Sequence, residues 1–565
     1  MKTQNLIEKS KLLFTILMVV LISIISNSYS QVTEEWLSIY NGPGNSTDAC
    51  TSITNYGNYI YVCGYSYGDS SELDICTIKY SLSGVQQWVK RYDGAYNAND
   101  KAYAVTADKS GNIYITGYIS HSTTSPYYRD IVLLKYDSSG VQQWVKTYNG
   151  PTNANDIGSS VITDNSGNIY VSGYIGDSET SGTDIILIKY NSFGDLLWSR
   201  TYNGSGNQDD DILGITIDKL NNVIITGYAN ISGYLHLMDY ITIKYDSSGV
   251  MQWTNLYNGP DYYQDFATDV ITDSNNNVYV TGASHQTTNA YYDFVTIKYN
   301  SSGVQQWVQV FDNSIHRDDI ASKILLDANY NIYVTGNCWN PNNGDIGIVK
   351  YKSSGAQEWA VIYNGVGNNE DRVNAMSLDN SGYIYLAGES KTYSGSYNDL
   401  FLIKYNPSGD TQWSKSYNGS ANLGDAASGI FVDNLCNVYV TGQVRNTGTS
   451  YDFITIKYSE LTGIHQSSAE IPELFLLYQN YPNPFNPSTK IKFGIPSNVI
   501  GEMSNVEIVI YDVIGKEIST IVNEQLNPGT YEIEWNASNS PSGVYFYQLI
   551  TDGNIIGTKR MVLLK

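Results

Sequence analysis

Asp156-Ile-Gly-Ser-Ser-Val-Ile-Thr163, Asn168-Ile-Tyr-Val-Ser-Gly173 and Asp184-Ile-Ile-Leu-Ile-Lys-Tyr190, followed by Trp198, carry the pattern that decides the fold. Each run is short, rich in β-branched and aromatic residues, and bounded by turn formers, so each reads as a strand. Asn165-Ser-Gly167 separates the first run from the second. The equivalent of Asp137-Ser-Ser-Gly140 separates the third from the fourth, which carries the Trp. The third run is aliphatic on both faces apart from its Lys, as it is again in Asp130-Ile-Val-Leu-Leu-Lys-Tyr136. A strand with two apolar faces lies in a sheet covered on both sides.

This unit repeats along the chain. Its Lys-Tyr pair recurs at Tyr80, Tyr136, Tyr190, Tyr245, Tyr299, Tyr351, Tyr405 and Tyr458, in steps of 52 to 56 residues. Trp recurs in phase at Trp36, Trp88, Trp144, Trp198, Trp253, Trp307, Trp359 and Trp413. Four-stranded units of about fifty residues, each covered on two sides, describe the blades of a β-propeller. Trp36 precedes the first complete unit, and no Trp strand follows Tyr458. The expectation is therefore an all-β chain with an eight-bladed propeller over 31–459, closed by its N-terminal strand.

Composition agrees. Of 565 residues, 51 are Tyr and 49 Gly, and charged residues make up only 15%, against a usual value of about 25%. A formal net charge of −23 argues against nucleic-acid partners, which need a Lys/Arg footprint. The chain opens with Lys2, Lys9 and Lys11, and the apolar run that follows, Leu12 to Ile25, is too short to span a bilayer comfortably. With Ser28 and Ser30 ahead of Gln31, residues 1–30 read as a secretory signal peptide cut between Ser30 and Gln31. No later segment reads as a transmembrane span. Five cysteines, Cys50, Cys63, Cys76, Cys338 and Cys436, lack zinc-ligand spacing. The first three read as small core residues, a disulfide among them being the alternative.

Two polar sets keep phase with the repeat. Eight residues after each turn tyrosine, or its substitute Phe311, stands Asp48, Asp100, Asp156, Asp210, Asp265, Asp319, Asp371 or Asp425. Five residues before each Lys stands Asp74, Asp130, Asp184, Asp239, Asp293, Asp345, Asp399 or Asp452. Presence in every unit suits a structural role, and the expectation is that these carboxylates cap loops or pair with the repeated Lys. The other reading is a ring of acids that binds cations or a basic ligand. Asp273-Ser-Asn-Asn-Asn277 and Asp327-Ala-Asn-Tyr-Asn331 lack the sixth-position Gly and twelfth-position acid of a calcium loop and read as tight turns. His121, His236, His285, His316 and His465 fall at unrelated repeat positions, so no metal site or cofactor is expected. Asymmetry sits in the loops after the second strands, with Tyr65 and Tyr67, Tyr127 and Tyr128, Tyr291 and Tyr292, and Tyr393 and Tyr397. Rigid, amphipathic Tyr beside Asn, Ser and Asp suits recognition of sugars or proteins.

Strings such as Thr163-Asp-Asn-Ser-Gly-Asn-Ile-Tyr-Val-Ser-Gly-Tyr174 resemble the bacterial SBBP-type β-propeller repeat of secreted and surface proteins. Asp137-Ser-Ser-Gly-Val-Gln-Gln-Trp144 also resembles the Trp-docking hairpin of quinoprotein propellers, but in framework only, so quinone chemistry does not follow. After Ser459 the repeat stops. Residues 460–473 read as a linker, and 474–565 as a small Ig-like β-sandwich with strands at Thr489–Phe493, Val506–Tyr511, Thr530–Trp535 and Val544–Thr551. Its Gln479-Asn-Tyr-Pro-Asn-Pro-Phe-Asn-Pro487 entry and basic end, Lys559-Arg-Met-Val-Leu-Leu-Lys565, resemble the type A sorting domain of type IX secretion. That resemblance implies export by the type IX machinery to the medium or the outer-membrane surface. The leading functional expectation is a non-enzymatic propeller that binds an extracellular glycan or protein. The alternative is a polysaccharide hydrolase or lyase, with the symmetry-breaking acids Asp209, Asp211 and Glu370 as first suspects.

Overall fold

A computed structural model describes residues 32–69, 71–122, 128–176, 182–231, 237–260, 263–286, 291–341, 343–391, 397–460, 465–468, 471–496, 504–526, 528–537 and 540–565. The signal-peptide stretch 1–30, the Ser30–Gln31 junction, Tyr127, His236 and Tyr393 lie outside them. The described residues form strands and turns, with no helix among them. Contacts divide the chain into two compact units, Glu34–Ser459 and one built on Glu460–Lys565.

In the first unit, Asp48–Tyr56, Tyr59–Tyr67, Leu73–Ser81 and Gln86–Tyr92 make one four-stranded antiparallel sheet in sequential order. Six more sheets of the same order follow, over 101–148, 157–202, 211–257, 265–311, 319–363 and 371–417. In the eighth, Ala426–Val432, Val438–Arg445 and Tyr451–Glu460 take Val32–Tyr40 as the fourth strand. Burial explains the sequence pattern: every third strand is apolar because each sheet packs between neighbours. Ile131 and Leu133 of the second sheet, for example, share a core with Val161, Ile169, Val171, Ile186 and Ile188 of the third. Cys50, Ile60, Val62, Cys76 and Ile78 of the first share one with Tyr439 and Phe453 of the eighth. All five cysteines are free, and the four in strands are buried, where burial pushes the Cys50 thiol up to about 12.

The repeated Trp fastens each sheet to the next. Trp88 lies against Tyr61 of its own sheet and Tyr136 of the second, and its Nε1–H donates to the Ser138 carbonyl at 3.4 Å. Trp36 makes the corresponding bond from the eighth sheet to Leu82 of the first, at 3.0 Å. The turn glycine below each ring is required twice over. Gly140 has φ +84°, and a Cβ there would stand 2.9 Å from Trp88 Cδ2.

The second unit places His465–Ser468, Gly529–Asn536, Ser488–Ile495 and Leu476–Leu477 in one sheet. Glu517–Leu526, Ser504–Tyr511, Gly543–Thr551 and Asn554–Leu563 make the other. Both sheets contribute to one core of Phe485, Phe493, Ile508, Ile510, Trp535, Tyr547 and Met561. Within 460–473, read above as a linker, His465–Ser468 forms a strand against Gly529–Asn536. Pairing there covers a sheet edge that would otherwise expose its backbone donors and acceptors.

Candidate functional site at the loop end of the sheets

The sheets have two distinct ends. One holds the tight hairpins between first and second and between third and fourth strands. The other holds the loops from second to third strand and the links from sheet to sheet.

Both repeated Asp sets lie at the loop end. The Asp100 N–H bonds the Leu73 carbonyl beside Asp74, and the Asp156 N–H bonds that of Arg129 beside Asp130. The first set is buried, with Asp48, Asp100, Asp156, Asp210, Asp319 and Asp371 at 0% exposure and Asp265 and Asp425 at 1%. Each carboxylate accepts a backbone N–H six residues upstream. Asp210 takes that of Gly204 at 2.5 Å, and Asp425 that of Gly419 at 2.6 Å. Most also accept an N–H where the second strand ends, as Asp100 does from Ser120 at 2.9 Å and Asp265 from His285 at 3.1 Å. Burial raises their pKa values, to about 6 for Asp100, Asp156, Asp210 and Asp425 and about 7 for Asp319.

No ion pair described among these residues joins a repeated Lys to one of the repeated Asp, against the expectation. Each Lys lies five residues along an extended strand from its Asp, about 17 Å away, and so at the hairpin end. There Lys79, Lys135 and Lys189 donate to the carbonyls of Ser138, Ser192 and Ser247 in the next sheet, at 2.7, 2.8 and 2.7 Å. Tyr rings face several of them, Tyr59 lying 3.7 Å from Lys79 Nζ. Lys244 also meets a buried carboxylate, Asp218 of a first–second hairpin, at 2.8 Å. The turns at Asp273 and Asp327 are closed by their own side chains. Asp273 accepts from Asn275 and Asn277, and Asp327 from Asn329 and Asn331.

The loop end breaks the repeat at one informative position, the residue after the second-strand Gly. It reads Tyr65, Tyr118, Tyr174 and Tyr228 in the first four sheets, then Ala283, Asn337, Glu389 and Gln443. Lys101 pairs with Tyr118 in register, and its ammonium lies 4.1 Å from the Tyr65 ring. The Arg129 guanidinium lies 4.5 Å from the ring of Tyr118, against which Tyr103 also packs at 5.9 Å. Asp211 pairs with Tyr228 in register, and its carboxyl raises the hydroxyl pKa values of Tyr228 and Tyr174, the latter to about 12, with burial the larger cause. Four successive sheets thus share a tyrosine arc in which Tyr118 is buried and Tyr65, Tyr174 and Tyr228 are half-buried, studded with Lys101, Arg129 and Asp211. The sequence shows this arc once the repeats are aligned on their glycines, whereas attention to loop tyrosines misses it. Of those, Tyr65, Tyr67, Tyr291 and Tyr292 belong to strands, while Tyr128 and Tyr397 are exposed.

The suspected acids fall in two places. Asp209 and Asp211 flank Asp210 at the fourth sheet, and burial with the neighbouring Asp209 raises Asp211 to about 7. Glu370 is three sheets on and is neutralised by Arg372 at 2.5 Å, which also reaches Glu389 at 3.8 Å. Asp293, Asp312 and Asp319 offer oxygens within 4.8 Å of one another, the only described group that could hold a metal ion. His316 Nδ1 lies 2.6 Å from Asp312, and Asp319 already accepts from the Asn313 N–H and side chain at 2.7 and 2.6 Å.

Residues 479–564 match the family model of the secretion system C-terminal sorting domain. The tail belongs to that family. Residues 87–122 match the SBBP β-propeller repeat, so the first unit carries a propeller repeat and the second a type IX sorting tail. Type IX sorting implies secretion to the surface or medium and engagement of that machinery. No helix of the described residues is long and apolar enough to cross a membrane. An uncharacterised WD repeat-containing protein of Acanthamoeba polyphaga mimivirus is 22% identical over 436 residues, 67% of this chain, which spans 27% of that protein's length. Among solved structures, a polysaccharide lyase family 25 ulvan lyase is 12% identical with TM-score 0.34, covering 68% of this chain and 94% of its own. The β-propeller domain of the Trilobed protease of Pyrococcus furiosus is 6% identical, TM-score 0.37, covering 67% and 97%. A periplasmic gluconolactonase of Pseudomonas aeruginosa is 10% identical, TM-score 0.39, covering 68% and 97%.

Proposed function

We propose that this is a secreted or surface-held eight-bladed β-propeller that binds an extracellular glycan or protein through its loop end without transforming it. In this reading residues 1–30 are a signal peptide, 31–459 the propeller closed by Val32–Tyr40, and 474–565 an Ig-like sorting sandwich. The packing of the eighth sheet on the first supports closure. The first repeated Asp set, Asp48 to Asp425, is structural, because each of its members accepts a backbone N–H inside the fold. The observation that carries the binding role is the tyrosine arc, a departure from symmetry confined to four successive sheets and rich in rings suited to sugar faces.

Asp211, raised to about 7, favours the hydrolase or lyase alternative, since a carboxylic acid in that range can donate a proton near neutrality. A glycan array on the full chain, followed by assays for reducing ends and unsaturated sugars on each bound glycan, separates the two. Binding without product, weakened at least about tenfold by Tyr174→Ala, supports the binding role. Product formation abolished by Asp211→Asn supports the alternative.

A further inference from the structure

Lys101 and Arg129 are cations placed side by side in a chain with 55 Asp and Glu and a net charge of −23. Only the second sheet has a cation at both of their positions. The Lys101 position holds Ala49, Ile157, Asp211, Phe266, Ile320, Arg372 and Ala426 elsewhere, and the Arg129 position holds Leu73, Thr183, Met238, Tyr292, Gly344, Asn398 and Tyr451. The strand registers bring the two together. Lys101 is opposite Tyr118, Tyr118 is opposite Ile131, and Arg129 is two residues from Ile131 on the same face.

The seventh sheet shows how the fold treats a cation it neutralises itself, with Arg372 held between Glu370 and Glu389. Lys101 and Arg129 have no such arrangement. Among the described residues no carboxylate forms an ion pair with either, and the Arg129 Nε is buried without a hydrogen-bond partner. Their mutual repulsion, behind the larger effect of burial, lowers the Lys101 pKa. A guanidinium that no carboxylate neutralises favours an anion presented from outside to its remaining N–H groups. Rings flank the pair, Tyr65 beneath Lys101 and Tyr118 beneath Arg129, with Tyr103 36% exposed nearby.

We infer that Lys101 and Arg129 form an anion-binding subsite of the tyrosine arc, which takes the carboxylate or sulfate of an acidic polysaccharide while the exposed Tyr103 and the half-buried Tyr65 and Tyr174 pack against its sugar faces. This rests on the binding role proposed for the arc. The chain's overall negative charge repels polyanions, so affinity for one has to come from a local site of this kind.

The test measures binding of the full chain to polygalacturonate, dextran sulfate, uncharged dextran and polyglutamate by affinity electrophoresis and titration calorimetry. Polygalacturonate and dextran sulfate separate carboxylate from sulfate as the source of the anion. Expected is binding to at least one acidic polysaccharide, weakened at least about tenfold by Arg129→Gln and by Lys101→Gln and partly restored in Arg129→Lys. Lys219→Gln, on the hairpin end, leaves it unchanged, and unaltered circular dichroism shows that the variants fold. Binding of dextran as tight as of the acidic polymers, lost in Tyr174→Ala yet indifferent to Arg129→Gln, overturns the subsite and keeps the arc. Indifference of every ligand to Tyr174→Ala and Tyr228→Ala overturns the arc itself. Polyglutamate bound as tightly as the acidic polysaccharides overturns the glycan assignment in favour of an acidic protein.

Discussion

The two ends of the sheets are built on opposite rules. At the hairpin end the same Trp, Lys and Gly recur in phase, and in most sheets they make the same contact with the next sheet. At the loop end a shared frame of buried Asp carries side chains that differ from sheet to sheet, so four tyrosines give way to Ala283, Asn337, Glu389 and Gln443. Repetition marks what holds the sheets together, and departure from it marks where the proposed partner would be met. Substitutions at the hairpin end and in the Asp frame should cost stability. Those at the arc should cost binding.

The largest effect expected is from removing 32–42, which takes the fourth strand from the eighth sheet together with the Trp36 contact to the first. Calorimetry should show loss of the cooperative transition or aggregation through the bared edge. An unchanged melting temperature would mean that this strand does not complete the sheet.

Next is Lys244→Met, which strands the buried Asp218 carboxylate that Lys244 meets at 2.8 Å. Breaking such a pair costs about 3–5 kcal/mol, whereas Lys189→Met, which loses a carbonyl partner at 2.7 Å, should cost about 1 kcal/mol by urea denaturation. Equal costs for the two would show that repetition, not the partner, sets the energy.

Asp156→Ala leaves the Gly150 and Gly176 N–H groups unmet and should cost about 1–3 kcal/mol. The same frame sets a pH dependence. Burial raises Asp100, Asp156, Asp210 and Asp425 to about 6 in the folded state, above the usual 3.8, so the folded state binds more protons between those values. Their contribution to stability is full below about pH 4 and is lost as pH rises through 6. Melting temperature should therefore fall between pH 5 and 7.5, with a shallower slope in Asp156→Asn. A slope unchanged by that substitution would remove these groups as its cause.

Glu370→Gln should have the smallest effect, about 0–1 kcal/mol, because its pair with Arg372 is partly exposed. A larger loss would place part of the frame among the variable positions and blur the contrast between the ends.

The frame was legible in the sequence because it is periodic. Lys-Tyr, Trp and the glycine turns state the strands, and the two-sided apolar third strand states that sheets cover sheets. Phase alone does not reveal the Lys partners, because five residues along a strand carry a side chain to the other end of the sheet. His465–Ser468 escaped notice because four polar residues carry no strand signal until a sheet edge stands beside them. The arc needed the repeats aligned on a glycine that is fixed for backbone reasons. A Cβ at Gly117 would run into the Lys101 carbonyl oxygen where the first strand bulges between Ala102 and Ala104.

The partnership of Val32–Tyr40 with Tyr451–Glu460 also bears on when the molecule can finish folding. Thr47 and Ser450, which meet where the eighth sheet adjoins the first, are 403 positions apart. Joining ends that distant costs about 2 kcal/mol more loop entropy than joining those of a single fifty-residue repeat. Contacts of such long range make for slow folding. Val32–Tyr40, made well before its partner strand, is thus among the last to find its place, and the sheet it completes stays open until Tyr451–Glu460 has been made. For a chain that must cross one compartment before reaching its destination, the delay keeps an edge unpaired in transit, exposed to chaperones and proteases alike.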